Sequence, residues 1–363
     1  MIKCVSKFGQ LMTLLVMGIK KAAGIAVRSL MYGKPYHAQW FITRRCNFKC
    51  LGCNIGVEQA GDELSLEEIK RGMDVLKATG VVELVLSGGN PLLREDIGEV
   101  IDYATKRFVT TVYDNGSLAV EKFEVLRNVD FVSLSIDSLD EKKHDFIKNV
   151  PGAWQSAMQA VDVLKREGVK VSVAPMISQV NLYEIVDLTN YFTSKGIPVL
   201  YSLYSYDKEE ANDNAANQLF SIGKCNDEFI ITDKEAMIKL CDSLIEMRRS
   251  SKHVLISEKL LKAIRSLYTG EKRVWNCRAL QSFLVVNHVG KVAGCHNQPF
   301  VDSIFDLPKN WKNEKYNVKR EQYKACTKCS YLCYIFYSIY GTPLGHLSLF
   351  KEQWKNASLL LKK

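Results

Sequence analysis

The first 57 residues contain no aspartate and no glutamate; the first acid of the chain is Glu58. The same stretch holds Lys3, Lys7, Lys20, Lys21, Arg28, Lys34, Arg44, Arg45 and Lys49. The whole chain has 49 basic against 40 acidic side chains, so its surplus of +9 sits in this stretch and the remainder is neutral. A basic segment without counter-charges points to an anionic partner, and the neutral remainder gives no reason to expect nucleic acid. A long hydrophobic run is also missing. The most apolar stretch, Phe8 to Ile19, is about twelve residues, where a bilayer span needs roughly 20. Its length and lysines fit a secretory signal, but Lys20-Lys21 is a poor cleavage context. Residues 1–36 therefore read as a basic amphipathic helical segment lying on an anionic membrane surface. A helical extension packed on the body of the protein is the plainer alternative.

Cysteine, in contrast, is abundant: 11 in 363 residues. Cys46, Cys50 and Cys53 follow a C-x3-C-x2-C spacing, too tight for a relaxed disulfide set. Zinc would want four protein ligands, and the nearest candidate, His37, lies beyond a predicted strand. Three thiolates for four irons leave one iron of a [4Fe–4S] cluster open to a non-protein ligand. Oxygen-labile ligands belong in a reducing compartment, so a cytoplasmic protein peripherally bound to membrane is expected. A zinc or redox site is the competing reading.

From residue 37 onward strand and helix patterns alternate. Strands are predicted at 37–43, 81–87, 108–113, 130–136, 169–176 and 197–204. Helices are predicted at 65–79, 95–107, 119–127, 154–167 and 182–195, then at 233–249 and 257–269. Ser65-Leu66-Glu67-Glu68 reads as a capped helix start. Such β–α units imply an α/β fold with a parallel sheet. Residues 205–226 read as a polar loop, and 346–363 as a short C-terminal helix.

The three-cysteine motif after a first strand resembles the signature of the radical SAM superfamily. Gly88-Gly89-Asn90-Pro91, at the end of the second strand, is similar to that family's Gly-Gly-Glu-Pro segment, with the acid missing at Asn90. The resemblance implies a partial (β/α)6 TIM-like barrel over 37–270. It further implies S-adenosylmethionine (SAM) on the open iron and a site at the carboxyl ends of the strands. The backbone at Gly88, Gly89 and Asn90 would then hold the amino group of SAM. Ser135 and Asp137 would reach its ribose, Met176 or Ile177 would pack its adenine, and Asn181 would fix the adenine edge. Asn115, in Asp114-Asn115-Gly116 after the third strand, joins this set. Turn chemistry for Asn115 and helix capping for Asn181 are the plainer readings.

A second group, Cys277, Cys295, Cys326, Cys329 and Cys333, surrounds a predicted hairpin about Gly290. It resembles the auxiliary-cluster domains (SPASM or Twitch type) of many superfamily members and implies a small Fe–S domain over 271–345. Five cysteines suffice for one auxiliary [4Fe–4S] cluster; Cys277, Cys295, Cys326 and Cys329 form the best set, with Cys333 able to replace one. Zinc is again the alternative, and His296 reads as structural.

Gly52, where most members carry an aromatic, and the aromatic stretch after Cys329 resemble lipid-acting members related to adenosylhopane synthase and to archaeal calditol or bridging synthases. The expected function is thus radical modification of an isoprenoid or tetraether membrane lipid, with a flavodoxin or ferredoxin-type reductant as partner. The alternative is a peptide maturase of the SPASM/Twitch class or an enzyme acting on another small molecule. A non-catalytic electron carrier would not need the Gly88-Gly89 loop. No general acid or base can be named.

Overall fold

The computed structural model describes residues 34–56, 61–205, 226–296, 298–327, 329–342, 344–345 and 348. Residues 1–33, most of the expected membrane segment, fall outside these, as do nearly all of 346–363. No helix among the described residues is long and apolar enough to cross a membrane.

The alternation of the sequence becomes a parallel sheet. Strand β1 (His37–Thr43) pairs with β2 (Glu83–Gly88), β2 with β3 (Val109–Asp114), β3 with β4 (Phe131–Leu134), and β4 with β5 (Val171–Val173), all parallel. Helix α1 (Leu66–Thr79) starts on a full capping box of Ser65 and Glu68, as its sequence predicts. It packs so closely on β1 that a Cβ at Gly72 would lie 2.5 Å from the buried Trp40 ring. Helices α2 (Ile97–Thr105), α3 (Phe123–Leu126), α5 (Ala153–Arg166) and α6 (Ile185–Ser194) follow as expected.

Two departures have physical causes. The predicted fifth and sixth strands are interrupted at Pro175 and Pro198, which have no N–H for a ladder. What remains is β6 (Met176–Ile177) paired with β7 (Ser202–Leu203) in a separate two-stranded sheet. Helix α4 (Glu141–Lys148) is absent from the sequence reading. Its charged composition hides it, yet Asp140 caps its start by accepting from the Lys143 amide, and Asn149 ends it in the left-handed region.

After α7 (Lys234–Ser250) and α8 (Glu258–Thr269), strand β8 (Phe283–Val286) returns to the free edge of β1, in parallel from His37↔Phe283 to Trp40↔Val286. Strands β9 (Lys291–Ala293) and β10 (Asp302–Ser303) continue antiparallel, giving one sheet in the order β10-β9-β8-β1-β2-β3-β4-β5. The hairpin about Gly290 therefore covers an edge that would otherwise expose unpaired backbone. Helices α9 (Leu307–Asn310) and α10 (Glu314–Ala325) lead to the aromatic α11 (Leu332–Tyr340). On α11, Tyr334 stacks on Phe283 at 4.8 Å and Tyr337 on His37 at 3.9 Å, while the Tyr337 hydroxyl donates to Glu83 at 2.9 Å. These rings are core packing that ties α11 to the sheet.

Candidate functional site

The three-cysteine loop leaves the carboxyl end of β1 and is clamped from its first residues. Glu63 accepts from the Arg44 amide at 3.1 Å and from the Arg45 guanidinium at 3.3 Å. Arg94 pairs with the same carboxylate at 3.3 Å and donates to the carbonyls of Ile42 and Leu64. Gly88 and Gly89 pass directly under this loop. A Cβ on Gly88 would meet the Thr43 carbonyl, and one on Gly89 the Arg45 carbonyl, at about 2 Å; Gly88 also has φ 135°. The Gly89 and Asn90 amides donate to those two carbonyls at 2.9 and 2.7 Å. The pair is glycine because the cysteine loop lies on it.

Asn90, the departure from the family pattern, is fully buried and donates to Asn47 at 3.3 Å and Asn115 at 3.2 Å. Asn115 donates to Asn47 in turn at 3.0 Å, and its carbonyl accepts from the Ser117 hydroxyl. The asparagines thus join the ends of β2 and β3 to the cysteine loop. Behind them Asp114 is buried, and burial lifts its carboxyl to about 6.

Burial pushes the thiols of Cys46 and Cys50 up to about 11 and raises Cys53. Each thiol raises a neighbour: Cys50 acts on Cys46, Cys53 on Cys50 and Cys46 on Cys53. Among the described residues no three His, Cys, Asp or Glu side chains converge as one metal ion requires. Three soft thiol donors on one loop, each close enough to act on the next, suit an iron–sulfur cluster.

Lys148 lies beside the cysteine loop and had no place in the sequence reading. Its ammonium is buried 2.7 Å from Asp137, and it lowers both Cys50 and Cys53. A fixed cation here offsets the negative charge that three thiolates would bring. Spacing gives no hint of it, because Lys148 belongs to the unforeseen helix α4.

Asp137 consequently has a different place from the one expected. Its carboxylate meets Lys148 and accepts from the Met176 amide at 2.8 Å, so it stands engaged inside the protein rather than beside Ser135 on a ligand-facing edge. Ser135 is half-buried just past β4. Asn181 is buried; its amide donates to the carbonyls of Asp137 at 2.8 Å and Met176 at 3.0 Å, and its oxygen accepts from the Ser178 amide. With both ends of its side-chain amide engaged, Asn181 stitches the chain after β4 to β6, and it makes no side-chain capping bond to the turn that it opens. Met176 is half-buried and packs against the Ile147, Tyr204 and Phe229 cluster, whereas Ile177 is buried in the main core.

His144 accepts from the Asp137 amide at 3.2 Å, fully buried. Burial, with Lys148 adding, pushes it down to about 4, against the pull of Asp137 and Asp145. It is neutral in the fold, whereas the unfolded chain takes up its proton below about 6.5. Stability should therefore fall as the pH drops from about 6.5 towards 4, by up to roughly 3 kcal/mol. Urea unfolding at pH 7 and pH 5 checks this. His144→Asn, which keeps an acceptor, should lose less stability than wild type between the two; equal losses would assign the effect elsewhere.

In the second group, Cys277 is buried and Cys295, Cys326 and Cys329 are half-buried. They gather around two side chains. Arg273 feels Cys329, Cys277 and Cys326, and donates to the Cys326 carbonyl at 2.6 Å. Tyr323 feels Cys295, Cys277 and Cys326, and accepts from the Gly294 amide at 3.0 Å. Cys333 departs from this set. It is exposed, and it acts on Tyr113 of β3 as well as on Cys329. His296 is buried against the rings of Phe41, Tyr331 and Tyr334, and burial pushes it down to about 3.

Residues 40–192 match the Radical SAM superfamily model. The antilisterial bacteriocin subtilosin biosynthesis protein AlbA of Bacillus subtilis is 29% identical over 160 residues, 42% of this chain and 36% of AlbA. The AdoMet-dependent heme synthase of Nitratidesulfovibrio vulgaris is 30% identical over 155 residues, 41% of this chain and 42% of that protein. The chain thus spans less than half the length of these curated relatives. Among solved structures, Streptococcus suis SuiB bound to S-adenosylmethionine superposes with a TM-score of 0.62 at 16% identity, over 79% of this chain and 68% of that one. SuiB is also known with its precursor peptide SuiA.

Proposed function

We propose that this chain, which carries a radical SAM domain over residues 40–192, is a radical SAM enzyme that modifies a peptide. One observation carries the reading: the second cysteine group is built onto the same sheet as the first through the β8–β1 pairing. That layout accompanies a likeness to SuiB extending over 79% of the chain. The likeness to the bacteriocin biosynthesis protein AlbA and to SuiB, which is known bound to its precursor peptide SuiA, favours a peptide over the lipid expected from the sequence. The lipid reading leaned on Gly52, on the aromatic stretch after Cys329, whose rings pack on the sheet, and on residues 1–36, nearly all of them outside the described residues.

When bound, the [4Fe–4S] cluster and SAM supply an adenosyl radical able to remove hydrogen from an unactivated carbon. Cys46, Cys50 and Cys53 would hold the cluster. Lys148 offsets their charge, and the stacked Gly88-Gly89 pair and the Asn47–Asn90–Asn115 contacts keep the loop from shifting. Ser135 and Met176, half-buried at the ends of β4 and β6, are the polar and apolar groups left for the nucleoside. Cys277, Cys295, Cys326 and Cys329 would hold an auxiliary cluster, and a flavodoxin or ferredoxin-type protein would supply the electron.

The test is 5′-deoxyadenosine formation by the anaerobically reconstituted, reduced protein, given in turn a peptide fraction, a lipid extract and an iron porphyrin. Stimulation by the peptide fraction, lost after protease treatment, is the expected result. Stimulation by lipid or porphyrin alone would replace the peptide reading.

A further inference from the structure

Gly52 sits between the second and third cysteines of the loop, and its backbone does not demand glycine: it is not among the positive-φ glycines. Space demands it. A Cβ there would lie 2.9 Å from Cε2 of Tyr204 and 3.4 Å from Cδ1 of Phe229. Both rings are buried, at 7% and 0% exposure, and tilt against each other at 5.3 Å. Tyr204 is held at two ends. Its amide donates to the Ile177 carbonyl at 2.8 Å, and its hydroxyl accepts from the Asn226 amide at 3.2 Å. A ring fixed this way has little freedom to yield.

Tyr204, Phe229 and Ile147 form a small apolar cluster apart from the main core, with Leu51, Met176, Val180 and Ile230 packed against it. This cluster joins three parts of the site. Leu51 belongs to the cysteine loop, and its amide donates to the Ile147 carbonyl at 3.1 Å. Ile147 precedes Lys148 on α4. Met176, half-buried on β6, packs against the same rings as Leu51 of the loop. A ring that fills the space over Gly52 therefore sets how far the Cys50–Cys53 half of the loop stands from β6.

We propose that Tyr204 is a positioning residue: its ring, wedged over Gly52, fixes the second half of the three-thiol loop relative to the SAM side of the site. A side chain that the loop would ordinarily carry for itself is supplied here from the end of β7. The inference rests on the reading of Cys46, Cys50 and Cys53 as cluster ligands, and it is independent of whether the substrate is a peptide.

The test uses the full chain with its reconstituted cluster and reads three things: iron per protein, the low-temperature EPR signal of the reduced cluster with and without SAM, and the SAM Kd. Tyr204→Ala should retain iron, lose most of the SAM-induced change in the signal, and bind SAM about tenfold more weakly, equivalent to ~1.4 kcal/mol. Tyr204→Phe keeps the ring and should stay within about twofold of wild type. Gly52→Ala keeps Tyr204 but forces the 2.9 Å contact, and should weaken SAM as Tyr204→Ala does. The double change Gly52→Leu/Tyr204→Ala refills the space from the loop and should recover part of the loss. A wild-type SAM response and Kd in both Tyr204→Ala and Gly52→Ala would overturn the proposal. So would a double variant no better than Tyr204→Ala. A wild-type protein whose EPR signal ignores SAM, or a SAM-responsive signal that survives Cys53→Ala, would instead remove the ligand reading beneath it.

Discussion

Replacing Cys46, Cys50 and Cys53 together by alanine should abolish the absorbance of the amino-terminal cluster and reduce SAM cleavage by about six orders of magnitude. That is the low end of enzymatic acceleration, as expected when the chemistry itself is removed. The fold should survive. Burial raises all three thiols, so they are neutral in the apoprotein. The loop's anchors also lie elsewhere, in Glu63, Arg94, Gly88 and Gly89. The measurement is 5′-deoxyadenosine formation, with circular dichroism to follow the fold. Cys241→Ala is the control, since Cys241 is buried on α7 and belongs to neither cysteine group. If the triple variant still cleaves SAM, the loop is not the site; if Cys241→Ala stops cleavage, loss of fold explains both.

Lys148→Met should destabilise the protein by about 3–5 kcal/mol, because it strands the Asp137 carboxylate, 1% exposed, without its counter-charge. Asp137 stays ionised only because Lys148, with the hydrogen bond from the Met176 amide, opposes the raising effect of burial. Adding Asp137→Asn removes the orphaned charge, and the double variant should regain most of the loss. Urea unfolding of the two single variants and the double gives the coupling energy directly. A loss under about 1 kcal/mol for Lys148→Met would mean that the pair behaves like a surface ion pair. The ammonium would then not be the fixed positive charge beside Cys50 and Cys53 inferred above. Beyond stability, Lys148→Met should slow cluster assembly, since without the cation those thiols give up their protons less readily.

Legibility in the sequence followed range. β1 was readable at its observed bounds, and α1 with its capping box within one residue, because alternation and capping are written in neighbouring positions. The cysteine loop was readable for the same reason. Asp137 and Asn181 were legible as polar residues at strand ends, but their partners in the fold were not. Their residue types suit a ribose and an adenine edge, yet Lys148 and the Ser178–Met176 turn had already engaged them. Glu63 and Arg94 carried no local signal at all.

By itself, then, the chain determined the β–α alternation, the capped start of α1 and the grouping of thiols, since each depends on residues a few positions apart. Only the tertiary structure decided what surrounds those thiols. Lys148 is brought in on a short polar helix, Tyr204 fills the space over Gly52 from β7, and β8 joins the second cysteine group to β1. The physical reason is common to all three: charge pairing, van der Waals exclusion and strand pairing act through distance in space. Between residues 50 and 148, 52 and 204, or 37 and 283, only the folded chain sets that distance.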